Sequence, residues 1–347
     1  MNININKKSE NLENEILFTS NPKNLDTFYD LTEDSFFEGY IGYSFCVFKS
    51  INNILYLIYS NMNYSILFYN LINYNIINEI KNAHMQDITN FRHYLDKHNK
   101  RDLIMSISSM DNNIKLWNAH NCDCLINIKN VNKNGCIYSG CFLYNNMSIY
   151  IIASNNNWIG KTESIKVFDL NGIKIKEIND SISDTFLIES YFDKELSKNY
   201  IISGNNGCVK SYDFNNNILY HKYNDDTYKE HLSIIMYNNK LIESSTDGYI
   251  RIWNFHSIKL LNIIKIDNLI VYNICLWNSE FLFIGCSDKK IKLLDLKSGK
   301  IIKTLIGHNN NVITIQKIYH PKYGECLISN GLCNDQIKIW LNKNIII

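Results

Sequence analysis

Proline is nearly absent from this chain: two in 347 residues, Pro22 and Pro321. With 14 Gly as well, collagen-like and proline-rich linker architectures are excluded, because both need these residues in bulk. No uninterrupted apolar stretch reaches the ~18 residues of a membrane-spanning helix, so no membrane insertion is expected. Neither sign of charge dominates, with 35 Lys plus Arg against 34 Asp plus Glu. A nucleic-acid binder neutralises phosphates with a basic surface. An anionic membrane attracts a polybasic run. Neither is legible, so the expected partners are other proteins, not nucleic acid.

Leader and redox signals are missing too. Residues 1–8 are polar and lack the apolar core of a secretion signal. An intracellular, cytoplasmic location is the expectation, and the ten Cys then read as reduced thiols. No Cys-x-x-Cys pair occurs; Cys122 and Cys124 share a strand face and read as packing residues, not zinc ligands. Gly-x-Ser-x-Gly, phosphate-loop and His-Glu-x-x-His motifs are all lacking. Residues 204–207 (GNNG) read as a turn, and His93 and His98 as solvated flanks of another. No catalytic residue, metal or cofactor is expected, and the chain reads as non-enzymatic.

What is plentiful is Asn, Ile, Lys and Tyr, whose codons can all be AT-rich. Twenty-three Tyr point to sheet, because aromatic side chains fit a pleated, half-buried surface. The Asn runs at 155–157 and 309–311 fall where turns are expected, and Asn tolerates turn geometry.

One pattern recurs: a turn residue, alternating apolar and polar positions, an aromatic, then an acid or amide. Its clearest copies are residues 247–254 (DGYIRIWN), 111–118 (DNNIKLWN), 288–295 (DKKIKLLD) and 334–340 (NDQIKIW). Residues 206–213, 164–169 and 63–70 are weaker copies. The aromatic position falls at 69, 117, 168, 212, 253, 294 and 340, in steps of 41 to 51 residues. Each step holds further short strands bounded by turn residues. Four strands per step, repeated seven times, predicts an all-β, seven-bladed propeller of four-stranded antiparallel blades.

At these residues the chain resembles the WD40-repeat family, over roughly residues 40–347, with Gly307-His308 and Trp340 among the closest matches. The resemblance implies a buried network in which a His, a Ser, a turn Asp and the strand Trp exchange hydrogen bonds. By that pattern His84, Ser109, Asp111 and Trp117 serve blade two, and His231, Ser245, Asp247 and Trp253 serve blade five. His308 and Trp340 belong to blade seven, where Asn334 stands at the usual Asp position; Leu294 replaces Trp in blade six. All are expected to be structural. The family also implies that the N-terminus closes the ring with the outermost strand of the last blade. Residues 15–20 are the expected closing strand, after a polar tail (1–14) and before an acidic, aromatic connection (21–41) that suits a lid; repeats fill 42–347. The C-terminal residues 345–347 are the rival closing strand.

Function is expected to be that of a scaffold presenting loops and rim to partner proteins. A peptide or modified-residue reader using the central pocket is the alternative, and an enzyme with a site in the channel a third. The outer-to-inner connections and the turns before the Trp strand share one rim. Candidate partner contacts there are Trp158 and Lys161 in blade three's long turn, and Met85, Asn309 and Asn310 beside the best His positions. Arg92, on blade two's innermost strand, is a candidate for the channel lining.

Overall fold

The computed structural model describes residues 22–30, 44–132, 135–154, 156–157, 164–178, 185–224, 229–332 and 335–342. Seven antiparallel sheets of four strands stand around a ring. Blade one is Phe45–Lys49, Leu55–Ser60, Ile66–Asn70 and Asn75–Ile80, from the channel outward. No helix among the described residues is long and apolar enough to cross a membrane.

Side chains alternate across a strand, and a propeller blade packs a neighbour on each face. The second and third strands are therefore apolar on both sides, as in Leu55–Ser60, which is buried throughout. In blade two, Leu103, Met105 and Ile107 pack toward blade three, while Ile104 packs toward blade one. One apolar cluster fills each of the seven seams, including the seam between blades seven and one.

The innermost strands present an unpaired edge to the channel, and polar side chains of the preceding blade satisfy part of it. The Gln316 side chain accepts from the Val47 amide at 3.0 Å and donates to its carbonyl at 2.8 Å. Asn273 accepts from the Ile315 amide, and Ser233 from the Ile274 amide. On the outside, blades one to six each carry a bulge between third and fourth strands at the aromatic position. Bulges twist an edge away from flat pairing.

Blade seven is assembled from both ends of the chain. Val312–His320, Gly324–Gly331 and Lys338–Asn342 are completed by Leu25–Asp30, antiparallel to Lys338–Asn342. The closing strand thus lies inside the segment expected to be a connection, ten residues beyond 15–20. Leu25 is the physical reason: it is buried against Trp277, Phe283 and Trp340 in the seam of blades six and seven. Residues 15–20, the C-terminal rival 345–347 and most of the expected lid lie outside the described residues.

Candidate functional site

His–Ser–Trp networks hold the rim loops. In blade seven His308 Nδ1 lies 2.8 Å from Asp335 and Nε2 lies 2.6 Å from Ser329 Oγ, which also accepts from the Trp340 indole at 2.7 Å. Asp335 further accepts from the amides of Asn309 and Asn310. The network is complete because Asp335 takes the acid's place one residue after Asn334, correcting the expected departure. Gly331 makes room for it: a Cβ there would stand 2.0 Å from an Asp335 oxygen. Burial raises the Asp335 carboxyl, but the hydrogen bonds from His308 and from the Asn310 and Gln336 amides outweigh it and hold it below the ordinary range.

Blade two repeats the arrangement with Ser106, not Ser109. Ser106 Oγ is 2.8 Å from both His84 Nε2 and Trp117 Nε1. Ser109 sits one turn further on, its carbonyl accepting from the Asn112 amide. His84 Nδ1 is 3.4 Å from Asp111, and burial pushes the imidazole down to about 4, helped by nearby Lys115.

Blade five departs from the expected set. His231 opens the innermost strand His231–Tyr237 opposite Ser245, the register position of Ile88 and Val312 and not that of His84 and His308. Its Nδ1 meets Glu243 at 2.8 Å. Glu243 holds the place of Ser106 and Ser329. Arg251, opposite it, binds Asp247 at 2.6 Å and Ser245 at 2.8 Å. The Trp253 indole nitrogen is left without an acceptor.

Equivalent third-strand cations in other blades are likewise turned inward. Lys115 donates to the Ala83 carbonyl at 2.5 Å, and Lys166 to Asn132 at 2.7 Å. They tie the third strands to the connections that enter their blades.

Arg92 reaches along the channel wall to Glu189 at 2.6 Å. The two occupy one register position on the innermost strands of blades two and four, with Cys141 of blade three between. Enclosure raises the Glu189 carboxyl while Arg92 pulls it down. Neighbouring His93 is not solvated as expected: it stacks on Phe48 at 3.8 Å and binds Asp102 at 2.8 Å. Cys122 is half-buried and Cys124 exposed, and no metal-binding cluster of His, Cys, Asp or Glu occurs among the described residues.

The two rims differ. On the rim of outer-to-inner connections, Met85 is 79% exposed, its amide bound to Asp111 at 2.7 Å. Met62 and Met110, in the turns before the third strands of blades one and two, are also exposed. Asn309 is exposed and Asn310 half-buried; Trp158 and Lys161 lie outside the described residues. The opposite rim was not singled out from sequence. There Tyr144 and Phe192 occupy equivalent positions at the ends of neighbouring innermost strands, and Met147 and Leu196 sit at the following hairpin tips, all four exposed. Asn199 ties these hairpins together through the Tyr144 carbonyl at 3.0 Å. The repeat register is the signal that brings residues 48 apart side by side.

No family model matches the chain. It is 28% identical over 75 residues to the U3 small nucleolar RNA-associated protein 21 homolog of Schizosaccharomyces pombe, covering 22% of this chain and 8% of that protein. It is 27% identical over 146 residues to the WD repeat domain-containing protein 83 homolog of Dictyostelium discoideum, covering 41% of this chain and 43% of that protein. The matches span less than half the length of either relative.

Proposed function

We infer that this chain, a WD40-repeat propeller by its repeats, its ring and its relatives, is a non-enzymatic scaffold that presents its rims to partner proteins within a larger assembly. The observation that carries this reading is the set of apolar side chains standing exposed on a rigid ring: Tyr144, Met147, Phe192 and Leu196 on one rim, Met62, Met85 and Met110 on the other. Exposed apolar groups gathered on loops mark interaction sites more often than chance. Thioethers and aromatics also adapt well to a protein surface.

Met85, Asn309, Asn310, Trp158 and Lys161 belong in this reading to the rim of outer-to-inner connections. Arg92 serves the channel wall, where its pairing with Glu189 favours a scaffold over a reader. The yeast relative is named for an association with U3 small nucleolar RNA. A net charge of +1 gives the chain no overall basic balance, and we assign it protein partners even in an assembly of that kind.

The test is affinity capture of the tagged protein from its native cells, with quantitative mass spectrometry. Wild type is compared with Phe192→Asp, Met85→Asp and Trp158→Ala. Stoichiometric partners lost from one variant place the interface on that rim. A protein that returns alone in all four preparations sinks the scaffold reading.

A further inference from the structure

Blade five ends in the outer strand Leu260–Lys265, paired on one side with Tyr249–Asn254 and open on the other. An open edge is a row of unpaired amides and carbonyls, and stable proteins blunt such edges with charge. Five of the other six do so, blades one and four with a single charge each. Blade three's outer strand carries Lys174, Lys176 and Glu177; blade six's carries Lys300 and Lys303; blade four's has Lys222, blade one's Glu79 and the closing strand Asp26 and Asp30. Blade two's is uncharged but five residues long, with Leu125 its one exposed large aliphatic.

Blade five's strand reads Leu-Leu-Asn-Ile-Ile-Lys, uncharged until its last residue. A bulge falls at Leu261, between the pairings of Leu260 with Trp253 and of Asn262 with Ile252, and the side chains alternate from there on. Ile264 is buried in the seam, while Leu261 and Ile263 are 44% and 46% exposed. The Ile263 amide faces away from the blade and is held by its neighbour's side chain, Asn262 Oδ1, at 2.9 Å. Lys259 and Lys265 stand exposed at the two ends.

We propose that this edge is a strand-addition site for an extended segment of a partner protein. The chemistry selects the occupant. A row of alternating donors and acceptors is matched in full by another extended backbone. Leu261 and Ile263 ask for aliphatic residues at alternate positions, and the terminal lysines for an acidic residue at each end. Asn262 caps the edge until the segment arrives. The proposal rests on the scaffold reading and names the kind of partner this part of the ring takes.

The probe is a blocked heptapeptide of alternating valine and threonine with aspartate at each end, titrated into the full chain and followed by backbone amide NMR. The expected result is movement of the amides of residues 263 and 265. Ile263→Lys and Leu261→Lys should each weaken binding at least tenfold, and Asn262→Ala should tighten it. N-methylation of the peptide along one edge should abolish binding, which side-chain docking alone would survive. Unmoved amides, full binding by the N-methylated peptide, or full affinity in both lysine variants each overturn the proposal. So does a concentration-dependent dimer broken by Ile263→Lys, which assigns the edge to a second copy of this chain. If the peptide fails while capture still returns rim-dependent partners, the edge assignment falls and the scaffold reading stands.

Discussion

Backbone geometry at single turn positions accounts for much of the unusual composition. Eight of the seventeen non-glycine residues with positive φ among the described residues are Asn, the side chain that best tolerates the left-handed region after glycine. The turn after the third strand demands that conformation in six blades, at Tyr74, Cys122, Gly172, Asn217, Ile258 and Gly299. Ile258 is the costliest occupant, a β-branched residue at φ 58°. Ile258→Gly should stabilise the fold by about 1 kcal/mol, strain relief exceeding the entropy glycine adds to the unfolded chain. Urea denaturation checks it, and an unchanged or lower midpoint refutes the strain argument. His84 gives a second prediction at this scale. Its imidazole is held down to about 4 from 6.5, chiefly by burial. Above pH 6.5 both folded and unfolded forms are neutral there; as pH falls from 6.5 toward 4 the unfolded chain takes up the proton first and stability drops. The loss should approach about 3 kcal/mol. A His84→Gln variant, less stable at neutral pH, should lose less over that window in parallel denaturation series.

At the scale of the strand and its blade, seven repeats were legible because the period-2 pattern and the aromatic step survive divergence. Which residues meet across strands was less so. Ser106 and Ser109 flank the same turn, and choosing between them needs the pairing of Ser106 with Phe91 and Lys115. His231 resembles the network His in type, yet the inner-strand register sets it four residues away from that role. The closing strand stayed hidden because Asp26, Thr27 and Asp30 give Leu25–Asp30 the polar look of a loop. Blade five shows what register reveals once known. Glu243 replaces the network serine and Arg251 replaces the lysine opposite it, both about 99% buried and with an Arg251 nitrogen 3.8 Å from the Glu243 carboxylate. Removing one member of a buried charged set leaves the rest uncompensated. Glu243→Ser alone should therefore cost about 3 kcal/mol. Adding Arg251→Lys, which rebuilds the serine–lysine pair of blades two and seven, should recover about 1 kcal/mol of coupling. Additive effects in a double-mutant cycle would show that the two substitutions are independent.

For the whole ring, the question is how much the closing strand contributes beyond the seam it completes. Blades seven and one are already joined by the two Gln316–Val47 hydrogen bonds, by His320 Nε2 donating to the Leu71 carbonyl at 3.0 Å and by the Tyr74–Tyr323 hydroxyl pair at 2.9 Å. The Lys322 amide donates to His320 Nδ1, so the ring is neutral with its proton on Nε2, as its lowered pKa from burial agrees. The Gln316–Val47 pair lies on the innermost strands, and the other two contacts tie blade one's turn between third and fourth strands to the inner hairpin of blade seven. The outer end of blade seven depends on Leu25–Asp30, and a terminal repeat without its cap exposes an apolar face and a bare edge. Truncation of residues 1–30 should therefore leave the ring folded at its inner strands but loosened at the rim. Amide exchange should quicken in Lys338–Asn342 before it does in blades three and four. Light scattering should detect concentration-dependent association through the uncovered strand. A truncated chain that stays monomeric, with protection in Lys338–Asn342 unchanged, would assign ring closure to the inner seam alone.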